Sequence, residues 1–573
     1  MRRNLTAALA AACALLLAGC GNIPTALTAQ VPTSGPIQQG EKVSDTTDGQ
    51  FIRVIARPPS PGMTPTQLIQ GFLDASASFE GDHFVARQYL TKQASDTWDP
   101  STVVRVFEGS GTLTEAGRRV NFSASQAATI GANGTYRVSD AGVSLLAGYD
   151  VTKVDGEWRI SGLSSGLVLS QPDVERTFRS LAVYFFNPSF TQLVPDPRLI
   201  PVYGPAQATT LTRYLLAGPS EWLQPAVRTG FPDGVRLNLE SVPIVNGIAQ
   251  VDLNRSARLA SDQARVSLSE QLVWTLAQLS DVKAVNITAA GEPFLVPDVA
   301  SPQPRDSWPD VNPNAMPVGT TSYVAQTAGV VALTDQGTIS VLGPAGTSDF
   351  TDIAVSGDNT VLAGIDAKGN LIKVGLTARA PRERIALDGA PSAPAFGPAG
   401  SLWVVVAGNG LEAVDERGVV TPITVQGLDR RSFILAAVPS RDGTRVALIV
   451  RTGARTRLLL ARVTSGGSSA AADLTVSDPR RVENQLTELV DVAWERSDRL
   501  LVLGSTGGAD LHAFTVNIAD GTVADNGGVI GAVSIAAAPG QQSLMGTADG
   551  KVYETFGGTW LNRTSGVSPT YPN

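Results

Sequence analysis

The sequence predicts a multidomain chain: two α+β domains followed by an all-β propeller of five or six blades. Three observations carry this. After residue 50 the chain reads as helices first and then long β-like runs. Near residue 178 the rhythm changes to β-α-β-β-α-β. Beyond residue 318, short apolar strand pairs recur, with Val355, Phe396, Val438, Trp494 and Ala538 at equivalent places, spaced by 41, 42, 56 and 44 residues. Periods of about 40–50 with paired strands are the pattern of propeller blades. A length of 573 residues fits three or four domains at roughly 100–200 residues each.

The N-terminus comes first. Arg2 and Arg3 precede an apolar run from Leu5 to Ala18, shorter than the roughly 20 residues a membrane-spanning helix needs. A basic start, a short apolar run and small residues at its end make a secretory signal peptide. The run closes on Leu17-Ala18-Gly19-Cys20, which resembles the lipobox of bacterial lipoproteins. That resemblance implies cleavage between Gly19 and Cys20, an S-diacylglycerol group on Cys20 and an N-acyl chain such as palmitate. Residues 1–19 are therefore the expected signal peptide. Cys13 would leave with it, so the mature chain would hold one cysteine and no internal disulfide. Residues 20–49 are rich in Gly, Pro, Ser, Thr and Gln and are expected to be a flexible lipidated tether.

The first folded domain is expected over 50–168. Phe51, Val54 and Ile55 belong to a strand ending at Pro58-Pro59. Thr64, Pro65 and Gln67 form a capping box with proline at the first helical position, and Leu68, Ile69, Phe72 and Leu73 share a helical face. A shorter helix follows around Phe84 to Leu90. The runs VVRVFEG, RRVNFSA, TYRVS, VSLLAGYDVTKV and EWRISGL then read as strands, and Asp155-Gly156 as a hairpin turn. Helices followed by a curved antiparallel sheet resemble the NTF2-like fold.

The second domain is expected over 178–296. LAVYFFNP (181–188) is a strand, and a helix follows with Leu211, Tyr214 and Leu215 inward and Gly218-Pro219 as its stop. VRLNLESVPIV and GIAQVDLN form a hairpin through Asn246-Gly247. Ser267 and Glu270 are read as the capping box of a second helix with Leu268, Leu272, Leu276 and Leu279 on one face. VKAVNITA (282–289) is the last strand. YFFNP, LLAGPSEWL, FPDGV, VNGIAQVDLN and QLVWTLAQLSDVKAVNI, in this order, resemble the GerMN domain of spore-formation and germination proteins, a scaffold-type module. Residues 297–318 are Pro-rich and aperiodic, so a stiff connector is expected there.

The propeller is expected over 319–573. The 56-residue interval implies an insertion, placed at RRVENQLTE. VVALTDQGTISVLG (330–343) and KVYETFGGTW (551–560) are read as closing one blade between the two ends of the repeat.

Composition narrows the function classes. The net charge is −8, and without Arg2 and Arg3 it is −10. An acidic chain argues against nucleic acid as a partner. Arg greatly outnumbers Lys among the 44 basic residues, which suggests a high-GC genome. His83 and His512 are the only histidines and lie in different expected domains, so His-based metal or catalytic sites have little material, and no metal or cofactor is expected. Gly162-Leu163-Ser164-Ser165-Gly166 has G-x-S-x-G spacing, but LVLSQPD follows it where a nucleophile elbow needs a helix. It reads as a loop. Asp358, Asp442 and Asp498 recur in blade turns and read as turn residues. Trp222, Trp274, Trp403, Trp494 and Trp560 read as packing. No catalytic residue is assigned.

Lipobox, NTF2-like part, GerMN-like part and propeller occur together, with SGPIQQ and FIRVIARPP near the start. The chain thereby resembles the actinobacterial lipoprotein LpqB family. That resemblance implies an accessory to the MtrA–MtrB two-component system, held on the outer face of the cell membrane by its lipid. There it would bind and modulate the extracytoplasmic part of the sensor kinase MtrB, in signalling tied to the cell wall and division. A receptor for a small ligand or a cell-wall glycan is the alternative, and an envelope enzyme ranks third.

Overall fold

The computed structural model describes residues 56–202, 207–327, 329–342, 350–376, 382–408, 410–466, 474–508 and 510–573. Gly19, Cys20, the tether and the strand expected at Phe51–Ile55 lie outside them.

The first domain begins with α1 (Pro65–Ser76). Thr64 Oγ1 accepts from the Gln67 N–H at 3.2 Å while Gln67 Oε1 accepts from the Thr64 N–H at 3.0 Å, so two orphan donors of the first turn are satisfied reciprocally. Its apolar face buries Leu68, Ile69, Phe72 and Leu73. Two short helices follow, α2 (Phe84–Arg87) and α3 (Lys92–Thr97). The sheet comprises β1 (Val103–Ala116), β2 (Arg119–Gly131), β3 (Tyr136–Val138), β4 (Ser144–Val154), β5 (Glu157–Gly162) and β6 (Leu167–Ser170). Its order is β5-β4-β2-β1-β6, with β3 on β2 and β6 parallel to β1. Register shifts at Val106/Phe107 and Glu108/Thr112 bend β1 and β2. Asp155 and Gly156 have φ of 50° and 84°, as a two-residue hairpin turn requires. α4 (Gln171–Thr177), capped by Ser170, leads out of the domain.

The second domain comprises β7 (Phe178–Phe186), β8 (Leu193–Pro201), α5 (Gln207–Ala217), β9 (Ile244–Val245), β10 (Ile248–Leu253), α6 (Asp262–Leu276) and β11 (Ala284–Ala289). The order is β-β-α-β-β-α-β, one strand more than expected. β8 was masked in the sequence by Pro195, Pro197 and Pro201. These share one parity along a strand that pairs only with β7, so their missing N–H groups face away from the ladder. Of VRLNLESVPIV only Ile244–Val245 pairs as a strand, apart from a bridge between Leu237 and Leu253.

The capping box expected at Ser267 and Glu270 is absent. Ser261 caps α6, accepting from the Ala264 N–H at 3.3 Å, so the cap lies six residues before Ser267. Ser267 is buried within the helix, where its small side chain lets the Gly230 loop approach. Nor is the Pro-rich stretch a free connector. Gln303–Pro304 pairs with Ala284 and Val285, Trp308 and Val311 enter the domain core, and the Trp274 indole donates to the Trp308 carbonyl at 2.9 Å. Burying two large apolar side chains outweighs the polymeric stiffness suggested by its prolines.

The propeller has six blades among the described residues, five of four strands and blade four of five, with Thr424–Val425 added in parallel at its outer edge. Blades two to six begin with the innermost strands Phe350–Val355, Pro391–Phe396, Ser432–Pro439, Glu488–Arg496 and Ala532–Ala536. Blade one takes Ser322–Gln326, Gly329–Thr334 and Gly337–Leu342 from the start of the domain and its innermost strand, Val567–Thr570, from the end. Ring closure is thus by Val567–Thr570. Lys551–Phe556, which was expected to close the blade, is the third strand of blade six. The insertion is also placed differently. Only six residues separate Arg481 from Glu488, whereas the third strand of blade four, Arg455–Ser465, has 11 residues against five in its blade-two counterpart.

The three domains pack on one another. The Leu199 N–H donates to the Gly134 carbonyl at 2.7 Å between the first two. Trp222 of the second domain donates to the Asp478 carbonyl at 2.9 Å, and Arg462 of the propeller donates to the Trp222 carbonyl at 2.5 Å. The Ser497 N–H donates to Asn314 Oδ1 at 2.7 Å.

Candidate functional site

Several concavities are built by these elements. The first is the propeller channel, about 390 Å³ walled by the six innermost strands. Because every blade has the same up-and-down order, these strands run in one sense and their starts gather on one face. Five of them are bulged near the start, at Phe350/Asp352, Ser392/Ala395, Ile434/Ala436, Leu489/Asp491 and Ala532/Ser534. Bulges re-aim side chains. Two of these positions hold aspartates, Asp352 in blade two and Asp491 in blade five, three blades apart and hence on opposite walls.

Each aspartate ties its blade to the next. Asp352 accepts from Ser568 Oγ at 2.8 Å and from the Ala393 N–H. Asp491 accepts from the Ile535 and Val492 N–H groups, both at 2.8 Å. Burial lifts Asp352 to about 6. Burial, with the charge of Asp352 across the channel, lifts Asp491 to about 7. Backbone donors pull both the other way without cancelling this. Among the described residues no basic side chain forms an ion pair with either.

The two ends of the channel differ. At the end face the segment after the closing strand crosses the opening: the Asn573 side chain donates to the Phe396 and Pro439 carbonyls at 2.7 and 3.0 Å, its N–H donates to the Val355 carbonyl, and Arg441 donates to the Pro572 carbonyl. Arg441 is the one cation lining the channel among the described residues, and burial lowers it to about 10. At the start face Val490 and Val533 line the channel yet stay exposed, with Phe433 and Ile530 exposed near the starts of their blades.

The second concavity, about 830 Å³, lies between the first domain and the β7–β8 ribbon, lined by Phe79, His83, Ile130, Leu167, Phe178 and Tyr214 among others. Gly81, Asp82 and His83 are consecutive left-handed residues, with φ of 55°, 55° and 58°. His83 is buried, its Nδ1 has no hydrogen-bond partner, and burial lowers it to about 4, so it is neutral at pH 7.

The remaining residues singled out from sequence are structural. Gly162 ends β5 and Leu167 starts β6, so Ser164 and Ser165 connect two strands rather than forming a strand-to-helix elbow. Asp358 accepts from Ser356 Oγ and the Thr360 N–H, and Asp442 from Ser440 Oγ and the Thr444 N–H, which are turn-holding patterns. Asp498 lies 3.5 Å from Arg496 Nε. Trp403 donates to Ser401, Trp494 to the Val438 carbonyl and Trp560 to the Asn526 carbonyl. His512 pairs with Asp525 on the surface, in a domain apart from His83. Among the described residues no three His, Cys, Asp or Glu side chains are grouped to hold a metal, and no helix is long and apolar enough to cross a membrane. Asp352 and Asp491 were not foreseen. The available signal was an aspartate in FTDIAV and in LVDVAW, each flanked by apolar residues of its strand.

Fold and concavities together define a class: a modular envelope-type chain with a GerMN domain in its middle and a β-propeller at its end. Residues 58–175 match the family "Lipoprotein LpqB, N-terminal domain", residues 182–294 the family "Sporulation and spore germination", and residues 328–572 the family "Lipoprotein LpqB beta-propeller domain". Lipoprotein LpqB of Thermobifida fusca (strain YX) is 31% identical over 636 residues, covering 99% of each chain. That of Streptomyces coelicolor is 27% identical, covering 97% of this chain and 96% of its own. The chain belongs to the lipoprotein LpqB family. A membrane-anchored place in the cell envelope goes with that membership.

Two solved structures are similar in parts. TolB from Acinetobacter baumannii is 17% identical with a TM-score of 0.34, over 44% of this chain and 67% of its own. The tandem GerMN domains of the sporulation protein GerM from Bacillus subtilis are 25% identical with a TM-score of 0.19, over 24% of this chain and 47% of theirs.

Proposed function

We propose that this chain is a non-catalytic envelope protein, anchored through acylated Cys20 on the outer face of the membrane. In this reading it binds the extracytoplasmic part of an MtrB-like sensor kinase and biases its signalling. The observation that carries the reading is the packing of three modules into one another, with contacts from the other two, among the described residues, falling on the end face and outer rim of the propeller and not on its start face. Their contacts join the second domain to the turns at the end face and to the rim of blade four. A tethered binder of this kind acts only if it prefers one kinase state to the other, and the anchor raises its effective concentration near membrane partners.

The test is calorimetry of the full chain in lipid nanodiscs against the extracytoplasmic domain of the kinase. Saturable binding is expected; no binding there and no crosslink in intact cells would reject the reading. Cys20→Ser is expected to remove the lipid mass and release the chain from the membrane fraction. A second reading, a small-ligand receptor, draws on the cavity at His83. It predicts that a muropeptide panel raises the melting temperature of the wild-type chain and not of His83→Ala.

A further inference from the structure

We infer that the start-face mouth of the propeller channel is a socket for one basic side chain, Lys or Arg, carried on an apolar segment of a protein partner. This deepens the partner-binding reading and rests on it.

Among the described residues, one end of the channel is crossed by chain and the other is not. Asn573, Pro572 and Arg441 are engaged across the end face, so entry is between Val490 and Val533 at the start face. Inside stand Asp352 and Asp491 on opposite walls. Among the described residues the titratable side chains lining the channel are these two, Arg441 at the far end, and Tyr571, whose hydroxyl donates to the Gln542 carbonyl. None of these is a cation at the open end.

Asp352 and Asp491 face each other across the channel, each held by its own donors, and near pH 7 Asp491 is partly protonated. A guanidinium or ammonium group between them supplies a counter-charge and favours the ionised form of both. The cation enters as Lys⁺ or Arg⁺, and the proton held by the protonated fraction of Asp491 leaves to solvent, so charge balances. The rim decides what carries the cation. Val490 and Val533, with Ile530 beyond them, offer apolar surface that gives a free hydrated ion no replacement for its water shell, while Arg451 lies over the Phe433 ring outside the channel. An apolar-flanked basic side chain satisfies both parts, and occupying a low-dielectric pocket between two acids makes it an anchor of the kind that dominates interfaces.

The test titrates the full chain in nanodiscs with a blocked pentapeptide, Leu-Val-Arg-Val-Leu, and with its Lys and Gln counterparts. The Arg or Lys peptide is expected to bind saturably, at least about tenfold more tightly than the Gln peptide. Calorimetry in two buffers should show proton release on binding that is larger at pH 6 than at pH 8. Asp491→Asn and Asp352→Asn should each weaken binding by about tenfold or more. These aspartates also join blades, so Val490→Arg serves as a second probe: it places a competing cation at an exposed position and should abolish peptide binding with the fold intact by circular dichroism. Equal binding of the Arg and Gln peptides, unchanged binding by Val490→Arg, preference for Ca²⁺ over the peptide, or no binding of either basic peptide up to about 5 mM would overturn the proposal. Kinase binding that survives Val490→Arg would leave the partner reading standing and remove the channel as its seat.

Discussion

Two regions of the propeller bury aspartates in opposite ways. In the blade-four turn at the end face, Asp442 is buried beside Arg445, their side chains 2.6 Å apart and 3% and 1% exposed. Burial alone would raise its pKa, but Arg445 and the Thr444 donors outweigh burial and hold it below the usual carboxylate range. In the channel, Asp491 is less buried than Asp442, has backbone donors and no ion-pair partner, and is nonetheless lifted to about 7. The partner differs. The comparison teaches that burial does not fix the charge of a carboxylate here, and that the end face is electrostatically closed while the start face is left short of one positive charge.

Breaking the closed region should cost most. Arg445→Met keeps volume but strands Asp442 as a buried unpaired charge, and should destabilise the propeller by about 3–5 kcal/mol, read as a lower denaturant midpoint for its unfolding.

The open region sharpens the contrast through pH. Asp491 holds its proton in the folded state where the unfolded chain, with an ordinary carboxylate near 3.8, has lost it. Its contribution to stability therefore falls as pH rises from about 4 to about 7, and the full cost is present above about 7. Against Asp491→Asn, the wild type should lose about 2–4 kcal/mol between pH 5 and pH 8. Melting curves at both pH values check this. Asp442, with a depressed pKa, has the opposite sign: its contribution is present above the unfolded pKa and lost as pH falls below it.

The smallest effect should come from a turn of the same kind at the surface. Asp358 repeats the hydrogen bonds of Asp442 in blade two without a buried cation. Asp358→Ala should cost about 1 kcal/mol, and a loss as large as that of Arg445→Met would collapse the distinction.

Local rules are legible in the sequence. The Thr64–Gln67 box and the Asp155-Gly156 and Asn246-Gly247 turns depend on a few adjacent residues, and the apolar blade repeats depend on a period; all are written along the chain. What escaped depended on distant partners. Pro195, Pro197 and Pro201 look like loop residues until a single-sided pairing with β7 makes their parity harmless. Ser267 looks like a cap until a packed Gly230 loop gives it a buried role. Asp352 and Asp491 sit 139 positions apart, and only closure of the ring sets them face to face.

Closure has a temporal side as well. Blade one draws its innermost strand from Val567–Thr570 and its other three from residues 322–342. A chain that emerges N-terminus first makes those three strands early and must hold them without their inner neighbour until the final strand arrives. During that interval Ser322–Gln326 presents an unpaired edge able to recruit a strand from elsewhere. Completion of the ring is therefore late and all-or-none, and the last strand acts as a clasp whose arrival ends the period when misassembly is cheapest.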